Sequence, residues 1–166
     1  MARIDEWKRL TRQTSNLTKK LLIVDDSPGE LQLFQKVLSN EGYIIITAQD
    51  GEEGIAKALA EQPDLIILDI IMPKKTGFQA CRAIKSRPET QHTPVILLSS
   101  KNHQADKYWG MKQGADLYLT KPVVPSELLK AVAGFIARHL LMRYEREERR
   151  RLRKNAMKIS SQLVQL

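Results

Sequence analysis

The run LIILDIIMP, Leu65 to Pro73, decides how the rest of the chain is read. Leu65, Ile66, Ile67 and Leu68 are large and apolar without alternation, the pattern of a strand covered on both faces of a sheet. The run then delivers a carboxylate, Asp69. An unpaired buried charge costs several kcal/mol, so the acid must stand where the strand ends and partners are available.

Working outward, four more short apolar runs share this character: LLIVD (21–25), YIIIT (43–47), VILLS (95–99) and LYLT (117–120). Helical patterns separate them. Ser27 and Glu30 have the spacing of a capping box, Pro28 suits a first helical position, and Leu31, Phe34, Val37 and Leu38 form a stripe that Gly42 closes. Further helices are expected over 51–61, stopped by Pro63, over 78–86, over 104–113, and from Pro125 onward. Alternating strands and helices predict an α/β fold, a five-stranded parallel doubly wound sheet with helices on both faces. Ligands of such sheets gather beyond the carboxyl ends of the strands.

That edge receives Asp25 and Asp26 from the first strand, Asp69 from the third, Ser99 and Ser100 from the fourth, and Thr120 and Lys121 from the fifth. Three carboxylates at one point repel: at ~4 Å and an effective dielectric of ~20, each pair costs about 4 kcal/mol. Lys121 supplies one compensating charge. A hard divalent ion with oxygen ligands supplies the rest, and Mg²⁺ suits a site that leaves room for water and phosphate oxygens. Metal and lysine together fit phosphoryl transfer, with a carboxylate as nucleophile.

LLIVDDSP, LIILDIIMPKKTG, VILLSS and YLTKP resemble, in order and spacing, the receiver domain of two-component response regulators, the CheY-like family with a (βα)5 flavodoxin-like fold. The resemblance covers residues 20–137. It implies a phosphorylation-dependent signalling switch rather than an enzyme in the usual sense. Asp69 would accept the phosphoryl group from a sensor histidine kinase or a phosphotransfer protein. Asp26 would ligate Mg²⁺ directly, Asp25 mainly through water, and the Ile71 backbone carbonyl would complete the protein ligands. Ser99 and Lys121 would contact the phosphoryl oxygens, Tyr118 would follow Ser99 inward, and the Lys121-Pro122 bond would be cis. Apolar Ile71, two residues beyond the acceptor, would leave attacking water poorly oriented and the phosphoaspartate long-lived. Lys101 occupies the other variable position flanking the site. Gly77 reads as a backbone requirement. Asp106 to Pro122 is also similar to receivers of pilus-based twitching motility and phototaxis; alternatively, Trp109 and Met111 there simply pack the fourth helix.

The formal net charge of +8 is unevenly spread. Residues 1–20 carry six Lys/Arg against two acids and residues 138–166 carry nine against three, leaving twelve against fourteen between them. A near-neutral domain thus bears two basic extensions. In the first, 1–19, Ile4, Trp7 and Leu10 predict a short amphipathic helix. The second, 138–166, is too short for a separate effector domain and predicts an extended C-terminal helix, with Glu145/Arg149 and Glu147/Arg151 at the favoured i, i+4 spacing. Its apolar residues, Leu140, Leu141, Tyr144, Leu152, Ile159, Leu163 and Leu166, admit docking on a downstream protein or a homodimer. A solvated tail, or contact with nucleic acid or an acidic membrane, stays open, which makes a transcription or membrane-recruitment regulator the rival function. The single Cys81 excludes a disulfide framework, the three histidines are too scattered for a zinc site, and no apolar run reaches membrane-spanning length, so a cytoplasmic protein is expected.

Overall fold

The computed structural model describes residues 19–164. Its elements are β1 (Lys20–Val24), α1 (Pro28–Ser39), β2 (Ile44–Ala48), α2 (Gly51–Glu61), β3 (Leu65–Asp69), α3 (Gly77–Lys85), β4 (Val95–Ser99), α4 (Gln104–Lys112), β5 (Leu117–Thr120) and α5 (Pro125–Val164). The five strands form one parallel sheet in the order β2-β1-β3-β4-β5. This is the wound sheet that the alternating pattern predicts. The described residues divide into two compact units, one up to Leu129, which holds the sheet, and one from Lys130 onward. The expected N-terminal helix with Ile4, Trp7 and Leu10 lies outside the described residues.

Burial follows strand order. Every residue of β3, at the centre, and of β4 beside it is buried. The sequence pattern suggested two covered faces for all five strands, but this fails at the edges. β2 has a neighbour on one side only, and its Ile44 is 50% exposed. On one face, Leu22, Val24, Ile66 and Leu68 pack with Ala58 of α2 and Ala80 and Ile84 of α3. The alternate residues Leu21, Ile23 and Ile67 face the other way. α1, in contact with β1 and β2, buries Leu31, Phe34 and Leu38, each worth about 2 kcal/mol.

Helix ends set the loops around the strand termini. Ser27 caps α1 by accepting from the Glu30 N–H, with Pro28 in the first turn. The expected reciprocal half of that capping box is not made. The Ser27 N–H donates instead to Asp25 Oδ1 at 2.9 Å, which leaves the Glu30 carboxylate free for another partner. Gly42 is left-handed (φ 87°), but it lies in the turn after α1, whose cap residue Asn40 is still right-handed. α2 ends on left-handed Gln62, just before Pro63. Thr76 and Gln79 form a complete capping box on α3, so that helix starts one residue earlier than expected, at Gly77. A Cβ on Gly77 would lie 2.2 Å from the Asp69 carbonyl oxygen; only glycine lets α3 start this close to the end of β3.

α5 is one helix of 40 residues. Residues 151–160 of it are all exposed. Glu145 and Arg149 make the expected i, i+4 pair at 3.4 Å; among the described residues, Glu147 and Arg151 form no salt bridge.

Candidate functional site

The sheet reverses its order between β1 and β3, and the crevice beyond their carboxyl ends gathers the predicted groups. β1 ends at Val24, so Asp25 and Asp26 begin the following loop, with the Asp25 N–H held by the Ala48 carbonyl at 3.1 Å. Asp69 is the last residue of β3. Asp25, Asp26 and Asp69 each offer a carboxylate oxygen, and these atoms lie within 4.8 Å of one another. Asp25 and Asp69 are buried, whereas Asp26 is exposed at the rim.

Lys121 is the hub. Its backbone N–H donates to the Ser99 carbonyl at 2.8 Å, registering the end of β5 on β4, and the Lys121-Pro122 peptide is cis, as the resemblance implied. Its ammonium donates to Asp25 Oδ2 at 2.9 Å and to the Glu30 carboxylate, and lies 3.1 Å from Asp69 Oδ1. Burial pushes the Asp69 carboxyl up to about 6; contact with Lys121 counteracts this, and the charge of Asp25 adds to it. Burial also works against the charge on Lys121, but its bonds to Glu30 and Asp25 and the nearby Asp69 carboxylate outweigh it and hold this amine above the ordinary lysine value.

Ser99 and Tyr118 meet on one backbone unit. The fully buried Ser99 accepts at Oγ from the Lys101 N–H (3.1 Å), and the Tyr118 hydroxyl donates to the Lys101 carbonyl (2.8 Å). Burial raises the pKa of the Tyr118 hydroxyl. Lys101 thereby links the two expected switch residues through its main chain. Ile71, two residues beyond Asp69 in the chain, is 52% exposed.

Glu30 is the site residue that sequence reasoning missed. The Ser27-x-x-Glu30 spacing assigned it to helix capping, yet a carboxylate one turn into a helix that begins at the Asp25-Asp26 loop faces the same crevice. Trp109 and Met111 are also corrected, since neither packs inward. A Cβ on Gly110 would meet both Leu97 and Tyr118 at 2.9 Å, so α4 lies tightly against that side. This leaves Tyr108, Trp109 and Met111 between 48% and 60% exposed.

The pattern of the response regulator receiver domain matches residues 21–133. The chain belongs to the response regulator receiver family. It is 42% identical over 118 residues to Protein PilH of Pseudomonas aeruginosa, a match covering 71% of this chain and 98% of that protein. It is 40% identical over 122 residues to the alkaline phosphatase synthesis transcriptional regulatory protein PhoP of Bacillus subtilis, covering 74% of this chain but 50% of PhoP. Among solved structures, the chemotaxis response regulator CheY4 of Vibrio cholerae superimposes with a TM-score of 0.68 at 36% identity, covering 71% of this chain and 98% of that one. A putative response regulator from Chloroflexus aurantiacus gives a TM-score of 0.69 at 32% identity, covering 72% and 98%.

The receiver is thus a module of two-component, phosphorylation-dependent signalling, a switch rather than a typical enzyme. Receivers bind Mg²⁺ in an acidic pocket, and the all-oxygen donor set of Asp25, Asp26 and Asp69 fits that hard ion. No helix among the described residues is long and apolar enough to cross a membrane.

Proposed function

We propose that Asp69 is the phosphoacceptor of this receiver, that a phospho-histidine on a sensor histidine kinase or phosphotransfer protein is the donor, and that the output is protein contact. The observation that carries this reading is the Lys121 ammonium 3.1 Å from a buried carboxylate at the strand edge, within an acid cluster. An Asp69 carboxylate oxygen attacks the phosphorus, the P–N bond of the donor breaks, and its electron pair returns to the imidazole nitrogen. Lys121 balances charge on the phosphoryl oxygens. Asp26 and Asp25, with Asp69 and the Ile71 carbonyl, would hold Mg²⁺, which supplies further neutralisation of that charge when bound. Both oxygens of Asp25 are engaged, by the Ser27 N–H and by Lys121, which favours Asp26 as the direct ligand.

The signal would pass through Lys101. Drawing the Ser99 hydroxyl toward the phosphoryl group breaks its bond from the Lys101 N–H, moves that loop and frees Tyr118 to follow inward, a local charge event biasing a two-state element. The exposed Tyr108, Trp109 and Met111 offer the downstream protein an apolar contact on α4. The match to PilH and the likeness of Asp106 to Pro122 support a pilus-linked signalling system, acting in the cytoplasm where such a kinase delivers its phosphoryl group.

Intact-mass spectrometry after exposure to acetyl phosphate and Mg²⁺ tests the acceptor. A single phosphoryl adduct is expected on the wild type and none on Asp69→Asn; an unmodified wild type, or an adduct surviving the substitution, refutes the reading. The exposed arginines of Arg149–Arg151 favour one rival output, a nucleic-acid or acidic-membrane contact made by α5. That contact would weaken steeply with salt, and duplex or anionic-vesicle binding that persists unchanged after truncation at Ala137 refutes it.

A further inference from the structure

Glu30 bears on how easily Asp69 can be modified. Its backbone N–H is used in capping α1, but its carboxylate is not, because Asp25 has taken the Ser27 N–H that a capping box would have given it. The carboxylate instead accepts from Lys121. An ammonium has three N–H donors. In the resting receiver they face three carboxylates, those of Asp25, Glu30 and Asp69. A phosphoryl group on Asp69 presents new anionic oxygens to an ammonium that already donates to Asp25 and Glu30. Of the three contacts, the one to Glu30 is the easiest to give up: its side chain is 38% exposed, against 2% for Asp25 and 7% for Asp69, so water replaces Lys121 there. Glu30 also adds a fourth negative charge to a crevice that must admit a dianionic group.

We propose that Glu30 is a positioning residue that holds the Lys121 ammonium in the resting receiver and must release it when Asp69 is phosphorylated, and so slows phosphoryl uptake. This rests on the reading of Asp69 as the acceptor.

Glu30→Gln removes the charge and keeps an acceptor oxygen, and Glu30→Ala removes both; each leaves the backbone cap from Ser27 in place. The first measurement needs neither metal nor phosphodonor: the Lys121 Nζ resonance of the full chain by NMR, expected to shift in both variants, with faster ammonium proton exchange in Glu30→Ala. The second is the rate of Asp69 phosphorylation by acetyl phosphate at saturating Mg²⁺, expected to rise about fivefold in Glu30→Ala, or about 1 kcal/mol of barrier, and less in Glu30→Gln. An unchanged Lys121 resonance, or variants phosphorylated no faster than a phosphorylated wild type, overturns this proposal alone. A wild type that stays unmodified overturns the acceptor reading and this proposal with it.

Discussion

Two regions of this chain use opposite charges in opposite ways. At the sheet edge, Lys121 and Asp25 stand 96 positions apart in sequence and 2.9 Å apart in space, with side chains 16% and 2% exposed. In the distal part of α5, Glu145 and Arg149 stand four positions apart at 3.4 Å, with side chains 51% and 73% exposed. The first pair exists only because a parallel sheet carries the ends of β1 and β5 to the same edge. The second exists because a helix repeats every 3.6 residues. The contrast shows which charges matter: those removed from water and committed to one another govern stability and chemistry, while those on an exposed helix chiefly keep it solvated.

Breaking the buried hub gives the largest expected effect. Lys121→Met leaves three carboxylates without their shared cation and destabilises the metal-free receiver by about 3 kcal/mol, measurable by urea denaturation; Mg²⁺ recovers part of the loss. Asp69→Asn acts in the other direction. Its carboxyl, raised to about 6 chiefly by burial, retains a proton that the unfolded chain has already released above about pH 4. The folded state therefore binds more protons in this window, and stability falls as pH rises from about 4 through 6. Asp69→Asn removes that slope and stabilises the metal-free protein by about 1 to 2 kcal/mol at pH 7, as denaturation at several pH values will show. Ile71→Asn introduces a polar group beside the acceptor without touching the core, and phosphate release from the phosphorylated chain is expected to accelerate several-fold; an unchanged time course would refute the role given to Ile71. Glu145→Gln, on the exposed pair, should cost less than about 0.5 kcal/mol and vanish into error at high salt. A larger loss there would show that the distal helix is held by something beyond its own i, i+4 pairs.

The five-part pattern was legible because each part is local: an apolar run, an acid at its end, a helix start after it. β3, β4 and β5 fall where their apolar runs fall, and α1 begins where Ser27 and Pro28 place it. Edge exposure in β2 was not legible, because YIIIT is as apolar as the runs inside the sheet and only strand order decides which of them has a second neighbour. The role of Glu30 was hidden for a related reason. A capping spacing is a local signal with a local explanation, and the competing claims of Asp25 on the Ser27 N–H and of Lys121 on the Glu30 carboxylate arise only once the loop and β5 meet. As packing residues of the fourth helix, Trp109 and Met111 would have faced inward. The close approach that Gly110 permits turns them outward.

The amino-acid sequence by itself determined the order of strands and helices, the acids, hydroxyl and lysine at the strand ends, and the family, because these depend on residue type and short spacings. The tertiary structure alone decided that one ammonium is shared by Asp25, Glu30 and Asp69, and that Ser99 and Tyr118 meet on the backbone of Lys101. Those arrangements depend on separations of a few ångströms between side chains from distant strands, which no local pattern encodes.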